Sequence, residues 1–309
     1  MTTNPRDTGR STDTGRSILA GLIGHGVGPS LTPTMHELEG SRHGMRYIYR
    51  SIEFAGGEDS QEELGQLLEM AQRLGFNGLN VTFPAKQSVV PLLDELGPSA
   101  AMIGAVNTVV FTDDGAAVGH NTDVTGFQAC IEDGLGETAC GHVVLVGSGG
   151  AGSAVAHALV MRGVTSLSLV DVDLDKSATL ARSLHTTHGF TAERAQPEHL
   201  PQLLQRADGV VNATPFGMAH HPGSPFDTEL LEPRHWVADV VYRPVDTVLL
   251  RAAEERGCRT VSGLGMAMHQ AADAFEIFTG ETADRASMLD DLNALIEAES
   301  PHPRATMHR

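Results

Sequence analysis

Short apolar runs alternate with amphipathic segments along most of this chain. The runs "ILAGLIG" and "GLNVTF" are rich in branched apolar residues and stop at a glycine or before a proline, which is typical of buried strands. In the first half we predict strands at residues 18–24, 47–54, 78–83, 105–111 and 116–121. The last two form a hairpin across the turn "DDG".

Three helices are predicted between these strands. The first starts at Thr32, which can cap it, with Pro33 in the first helical position. The second covers residues 60–75 and ends at a glycine. The third covers residues 88–96, where Pro91 must lie near the first turn.

The pattern starts afresh near residue 141 with a strand, a glycine-rich turn and a helix. Strands are predicted at residues 142–146, 166–173, 209–214, 236–242 and 259–263. Helices are predicted from the glycine-rich turn to residue 163, over 174–189 and over 265–280. Strands that alternate with helices indicate an α/β fold with a mostly parallel sheet. We therefore predict an α/β protein of two domains, which is also what 309 residues favour.

Composition limits the function classes. The chain is 41% hydrophobic and 19% charged, contains no apolar run long enough to span a membrane, and has a net charge of −18. This charge argues against nucleic acid or an anionic membrane as a partner. Three cysteines without a C-x-x-C pair favour a reducing cytoplasm, and the histidines lack metal-ligand spacing, so no metal is predicted. We interpret residues 1–16 and 299–309 as disordered and expect a monomer or a homodimer.

The turn "GSGGAG" follows an apolar strand and opens an alanine-rich helix. Gly147, Gly149 and Gly152 match G-x-G-x-x-G, and Asp171 follows Gly152 by 19 residues at the end of the next strand. This context predicts a dinucleotide site in which backbone N–H groups face a pyrophosphate. The predicted contacts in the turn are Gly147, Ser148, Gly149, Gly150, Ala151 and Gly152.

Asp171 also bears on the choice of cofactor. A carboxylate accepts a hydrogen bond from a ribose 2′-hydroxyl but repels a 2′-phosphate. No arginine occurs in the following "DVDLDKS", where Lys176 is the one cation. The sequence therefore predicts NAD in preference to NADP.

Polar side chains interrupt the first half at three places. Ser30 and Thr32 are two apart before a helix, so their hydroxyls face the same side, although Thr32 alone would also serve as a cap. Asn80, Thr82 and Lys86 follow one strand, and "HNTD" ends another. Taken singly, Asp123 in that last motif is better explained as a helix cap.

Taken together and in order, eight motifs resemble the shikimate dehydrogenase family. They are "GPSLTPTMHE", "NVTFPAKQ", "GAVNTVV", "GHNTDVTGF", "GSGGAGSA", "VNATPFGM", "DVVYRP" and "GMAMHQAADAF". Within the family the chain is most similar to NAD-dependent quinate/shikimate dehydrogenases of actinobacterial type, which have Thr at position 32 and Asp at position 171.

The resemblance implies a role for each matching residue. Lys86 and Asp123 are implied as the catalytic pair, and a small hydroxylated carboxylate as the substrate. The implied substrate contacts are Ser30 and Thr32 for its carboxylate, Asn80, Thr82, Asn107 and Gln270 for ring hydroxyls, and Tyr242. The implied cofactor contacts outside the glycine-rich turn are Asn212, Thr214, Val240 and Gly263. The helix carrying Gln270 would return to the first domain, giving a substrate domain of residues 17–124 plus 265–298 and a Rossmann domain of 125–264.

Lysine at position 86 suits alcohol oxidation. Only two lysines, Lys86 and Lys176, occur beside 19 arginines, and an arginine cannot release a proton at neutral pH. A group must take the hydroxyl proton as hydride leaves the carbinol carbon, either directly or through water. The family usually has an aromatic residue before this lysine, so Ala85 is expected to enlarge the pocket. Two alternatives stay open: an amino-substituted substrate such as aminoshikimate, and a non-catalytic nicotinamide-responsive module.

Overall fold

The computed structural model describes residues 15–57, 60–136, 138 and 140–299. The N-terminal part contains β1 (Ser17–Gly24), α1 (Thr32–Arg42), β2 (Arg46–Glu53), α2 (Ser60–Arg73), β3 (Gly78–Val81), β4 (Glu95–Leu96), α3 (Pro98–Ile103), β5 (Thr108–Phe111), β6 (Ala117–His120) and α4 (Thr122–Leu135). The remainder contains β7 (His142–Val146), α5 (Gly150–Arg162), β8 (Ser166–Val170), α6 (Leu174–His188), β9 (Glu193–Ala195), α7 (Leu200–Leu204), β10 (Gly209–Asn212), β11 (Trp236–Asp239), α8 (Val248–Glu255), β12 (Arg259–Ser262), α9 (Gly263–Thr279) and α10 (Arg285–Glu299). Short 3-10 turns occur at Val90–Leu92, Pro197–His199 and Thr228–Leu230.

The strands form two separate sheets. The N-terminal sheet has the order β2-β1-β3-β5-β6-β4, in which β5 pairs antiparallel with both β3 and β6 and the other pairs are parallel. The second sheet is wholly parallel, with the order β12-β11-β10-β7-β8-β9. Its order reverses between β7 and β10, which is the switch point where doubly wound sheets bind ligands. The predicted α/β class and the hairpin of β5 and β6 are confirmed.

The C-terminal helices pack against the N-terminal sheet. Phe275 of α9 and Leu292 of α10 are buried in one cluster with Ile18 of β1 and Tyr47 of β2. Helices α4 and α9 also approach closely at Gly126. A Cβ added there would lie 2.9 Å from the backbone nitrogen of Gln270. The layer around the N-terminal sheet is therefore built from two distant parts of the chain.

Two local predictions are wrong. Leu31, not Thr32, is the cap residue of α1, and no side-chain hydrogen bond caps this helix, so Thr32 is its first residue. The helix predicted over 88–96 is only the 3-10 turn Val90–Leu92, followed by β4. Proline at 91 lacks a backbone N–H and clashes with the preceding turn, which limits helix growth at this point.

The ends of the described chain are tied to the fold. Residues 1–14 and 300–309, most of the predicted disordered ends, lie outside the described residues. Arg16 was assigned to the disordered leader, but its carbonyl accepts a hydrogen bond from the N–H of Arg46 at 2.9 Å. Glu299 ends α10 and forms an ion pair with Arg243. Within the described ranges, no helix is long and apolar enough to cross a membrane.

Candidate active site

A cleft of about 670 Å³ lies between the two layers, beyond the carboxyl ends of β1, β3, β10 and β11. All predicted catalytic and substrate-binding residues line it, namely Ser30, Thr32, Asn80, Thr82, Lys86, Asn107, Asp123, Tyr242 and Gln270. Four predicted cofactor residues line the same cleft, namely Ala151, Thr214, Val240 and Gly263. Segments far apart in the chain therefore meet at one concave surface.

Lys86 and Asp123 form an ion pair inside this cleft. The Nζ atom of Lys86 lies 2.6 Å from Oδ2 of Asp123. Their side chains are 21% and 10% exposed, so the pair is largely shielded yet still reaches the cleft surface. Lys86 sits in the turn after β3, and its carbonyl accepts a hydrogen bond from the N–H of Val106 at 2.8 Å.

The carboxylate of Asp123 is held from several sides. Asn121, rather than Asp123, caps α4 by accepting a hydrogen bond from the N–H of Asp123 at 3.1 Å. The carboxamide of Asn107 donates to Oδ1 of Asp123 at 3.0 Å, which leaves Oδ2 for Lys86. Asp123 also lies in the first turn of α4, where the helix dipole favours a negative charge. The interpretation of Asp123 as a helix cap is therefore wrong, because Asn121 caps α4.

The residues assigned to the substrate carboxylate and ring line the same cleft as this pair. The Ser30 hydroxyl accepts a hydrogen bond from the N–H of Thr32 at 3.3 Å, in a turn before α1. Gln270 reaches the cleft from α9, with its amide donating to the carbonyl of Ala267 at 3.1 Å. Burial raises the pKa of Tyr242, so its hydroxyl stays protonated at neutral pH and can donate a hydrogen bond.

The glycine-rich turn has the geometry of a phosphate cradle. Gly147 has a φ of +101°, and a Cβ at Gly152 would lie 2.0 Å from the carbonyl oxygen of Gly147. Around Gly149 and Gly150, by contrast, an added Cβ would meet nothing within 4 Å. Glycine is thus required for packing at two positions and leaves the backbone bare at two others.

Two further observations fit a bound nucleotide. The hydroxyl of Ser148 is buried and has no hydrogen-bond partner among the described residues. No side chain caps the N-terminus of α5, so its N–H groups are available to an anion. Asp171 accepts hydrogen bonds from the N–H of Ser148 at 2.6 Å and of Asp173 at 2.8 Å. The residues present therefore fit the pyrophosphate and ribose of a dinucleotide.

Comparison with known proteins shows which family the chain belongs to. A family model described as the shikimate dehydrogenase substrate binding domain matches residues 22–109, and one described as the shikimate 5'-dehydrogenase C-terminal domain matches residues 263–291. Shikimate dehydrogenase (NADP(+)) of Streptomyces avermitilis is 52% identical over 90% of this chain and 96% of its own length. The chain belongs to the shikimate dehydrogenase family.

Two other members of the family carry NAD in their names. Quinate/shikimate dehydrogenase (NAD(+)) of Corynebacterium efficiens is 49% identical over 87% of this chain and 95% of its own length. Among solved structures, quinate dehydrogenase from Corynebacterium glutamicum in complex with NAD has a TM-score of 0.86 and 47% identity, covering 90% of this chain and 99% of that one. These relatives confirm the recognised family and fold, and they support a nicotinamide cofactor.

Not every predicted cofactor residue lines the shared cleft. The glycine-rich turn apart from Ala151, together with Asp171 and Asn212, does not contribute to its wall. Asn212 is fully buried, and its amide donates to the carbonyl of Phe216 and to Asp239, each at 2.9 Å. Its oxygen accepts from the N–H and hydroxyl of Thr214. Asn212 therefore shapes the turn after β10, and its predicted contact with the cofactor stays a prediction.

Sequence reasoning misjudged Ala85 and missed Arg243. Ala85 is fully buried in the N-terminal core and does not line the cleft, so the expected enlargement of the pocket is wrong. Arg243 lines the cleft and donates to the carbonyl of Pro29 at 2.6 Å, immediately before Ser30. Its position next to Tyr242 in "VVYRP" was the available signal.

Proposed function

We propose that this protein oxidises one ring hydroxyl of quinate and of shikimate with NAD, and catalyses the reverse reduction. The observation that carries the proposal is the Lys86–Asp123 ion pair on a cleft wall that faces the nucleotide-side turns. Membership of the shikimate dehydrogenase family supports the class of reaction.

The chemistry divides between the cofactor and the chain. Bound nicotinamide supplies the hydride acceptor. Lys86 takes the hydroxyl proton, because its ammonium and amine forms exchange a proton as an arginine could not. Asp123 holds the Lys86 side chain in place and also offers an acceptor to a neighbouring hydroxyl. Ser30 and Thr32 bind the substrate carboxylate, and Tyr242 and Gln270 complete the pocket.

NAD is proposed as the preferred cofactor. The support is the Asp171 carboxylate at the end of β8 and the absence of arginine in "DVDLDKS". Sequence identity alone does not separate the cofactors, because the Streptomyces avermitilis relative is named for NADP and the Corynebacterium efficiens relative for NAD.

Three organisational features belong to the same proposal. We propose residues 17–124 plus 265–298 as the substrate domain and residues 125–264 as the nucleotide domain. The free cysteines Cys130, Cys140 and Cys258 support a cytoplasmic location. A monomer or a homodimer remains the expected state in solution.

Steady-state kinetics with both acids and both cofactors tests the proposal. We expect absorbance at 340 nm to rise with either acid, and kcat/KM to be higher with NAD than with NADP. A higher kcat/KM with NADP would contradict the interpretation of Asp171. Activity with neither acid would overturn the assigned reaction, and adding aminoshikimate to the panel distinguishes a change of substrate from a loss of catalysis.

A further inference from the structure

The carboxamide of Asn80 makes three hydrogen bonds inside the protein. Its nitrogen donates to the carbonyl of Asn107 at 3.3 Å and to the hydroxyl of Thr108 at 3.0 Å. Its oxygen accepts from the hydroxyl of Tyr49 at 2.7 Å. A carboxamide has two N–H groups and two lone pairs, so only one lone pair on the oxygen remains for a ligand.

Tyr49 sets this orientation from behind the cleft wall. Its side chain is 3% exposed and does not line the cleft. Burial raises its pKa well above the ordinary value, so the hydroxyl remains a donor. The ring lies 5.0 Å from the ring of His36, which fills the space between α1 and the sheet. A carboxamide can flip, and here the Tyr49 donor at the oxygen and the Asn107 carbonyl at the nitrogen together fix which end Asn80 presents.

Asn107, which directly precedes β5, also has both of its side-chain N–H groups bonded inside the protein. Its nitrogen donates to the hydroxyl of Thr122 at 2.9 Å and to the carboxylate of Asp123 at 3.0 Å. Its oxygen accepts from the N–H of Thr122 at 2.8 Å and from the hydroxyl of Thr108 at 3.0 Å. Neither carboxamide therefore has a free N–H to offer the cleft.

We propose that Tyr49 is a positioning residue that holds Asn80 as a pure hydrogen-bond acceptor, so that the ring substituent facing Asn80 must itself be a donor. This rests on the proposed function and narrows its substrate class. A hydroxyl or an ammonium group at that ring position can donate to the free lone pair of the Asn80 oxygen. A keto or ether oxygen leaves the second lone pair of the Asn80 oxygen without a partner and brings two acceptors together.

The test compares Tyr49→Phe with Tyr47→Phe. Both changes remove one buried hydroxyl from β2, but the hydroxyl of Tyr47 is 3.1 Å from Nδ1 of His36 and not bonded to Asn80. We expect Tyr49→Phe to raise the KM for shikimate about threefold to tenfold, as loss of one net hydrogen bond implies, with kcat and the KM for NAD within about twofold. Tyr47→Phe should leave all three within about twofold, while thermal melting reports any shared loss of stability.

Substrate analogues provide a measurement, the preference for an amine over an ether, that a general loss of packing would not change. Each ring hydroxyl of shikimate other than the one that is oxidised is replaced in turn by a methoxy or an amino group. At one position the wild type should accept the amine and reject the ether, and Tyr49→Phe should reduce that discrimination because one of the contacts that fix the Asn80 carboxamide is lost.

Several outcomes overturn the inference. Equal increases in KM for the two variants would mean a structural effect only, and an unchanged KM in a folded Tyr49→Phe would contradict it directly. If Tyr49→Phe does not fold, a wild type that accepts methoxy analogues at every position still refutes it. If the wild type oxidises neither acid, the proposed function fails, and calorimetric binding of shikimate to the same variants tests the role of Tyr49 separately.

Discussion

The substrate wall of the cleft and the glycine-rich turn with Asp171 are organised in opposite ways. We call the turn and Asp171 the nucleotide wall, although of these residues Ala151 alone lines the cleft. On the substrate side, polar side chains bond to one another: Asn80 to Tyr49, Asn107 to Asp123, and Asp123 to Lys86. On the nucleotide side, the glycine-rich turn offers bare backbone and the single unpartnered hydroxyl of Ser148. One wall is therefore shaped by contacts between distant segments, and the other by six consecutive residues. The polar groups of the substrate wall are thus held by tertiary packing, whereas the glycine-rich turn is shaped by local backbone geometry.

The largest effect is expected when the catalytic pair of the substrate wall is broken. Lys86→Ala should lower kcat by about 100-fold or more while KM stays within about tenfold, since the interaction lost is made in the transition state. Lys176→Ala is the matched control, because that lysine is 61% exposed and forms an ion pair with Asp173, the cap residue of its own helix. Near-normal kcat in Lys86→Ala would remove the catalytic assignment.

Two glycines of the nucleotide wall should respond differently to substitution, one through the stability of the fold and the other through cofactor binding. Gly152→Ala forces a Cβ to within 2.0 Å of the Gly147 carbonyl and should destabilise the fold by about 3 kcal/mol. Gly149→Ala adds a Cβ in open space, so we expect an unchanged melting temperature and a raised KM for NAD. Thermal denaturation and cofactor kinetics check the pair, and the reverse pattern would contradict this account of the turn.

Asp171→Asn tests whether the nucleotide wall selects its cofactor by charge. Loss of a charged hydrogen bond of about 1.5–3 kcal/mol should raise the KM for NAD roughly tenfold or more and increase relative activity with NADP. Asp175→Asn removes a nearby charge from the first turn of α6 and should change neither quantity appreciably. An unchanged NAD to NADP ratio in Asp171→Asn would leave cofactor choice to another residue.

The smallest effect is expected at the hydrogen bond between Arg243, which follows β11, and Pro29, which precedes α1. Arg243→Met removes the hydrogen bond to Pro29 and should raise the KM for either acid about fivefold, because the Ser30 loop loses its support. Glu299→Gln removes only the ion pair between Glu299 and Arg243. The two side chains are 41% and 33% exposed, so little change in the KM for either acid is expected. Steady-state kinetics decides, and equal effects of the two changes would point to the ion pair instead.

Much of this architecture could be predicted because its signals are local. The glycine-rich turn, the alternation of strands and helices and the hairpin each depend on neighbouring residues. The helix predicted over 88–96 failed because one proline outweighed an otherwise suitable pattern. Ala85 was misplaced because sequence does not show which side of a turn faces the core.

The sequence by itself determined the family, the glycine-rich turn between a strand and a helix, and the residue types available for proton transfer. Only the tertiary structure decided which groups are already bonded: Asn121 rather than Asp123 caps α4, Asn212 is occupied internally, and Tyr49 fixes Asn80. The physical reason is distance along the chain. Thr122, for example, donates to the carbonyl of Gln270 across 148 positions, and no local pattern encodes such a pairing.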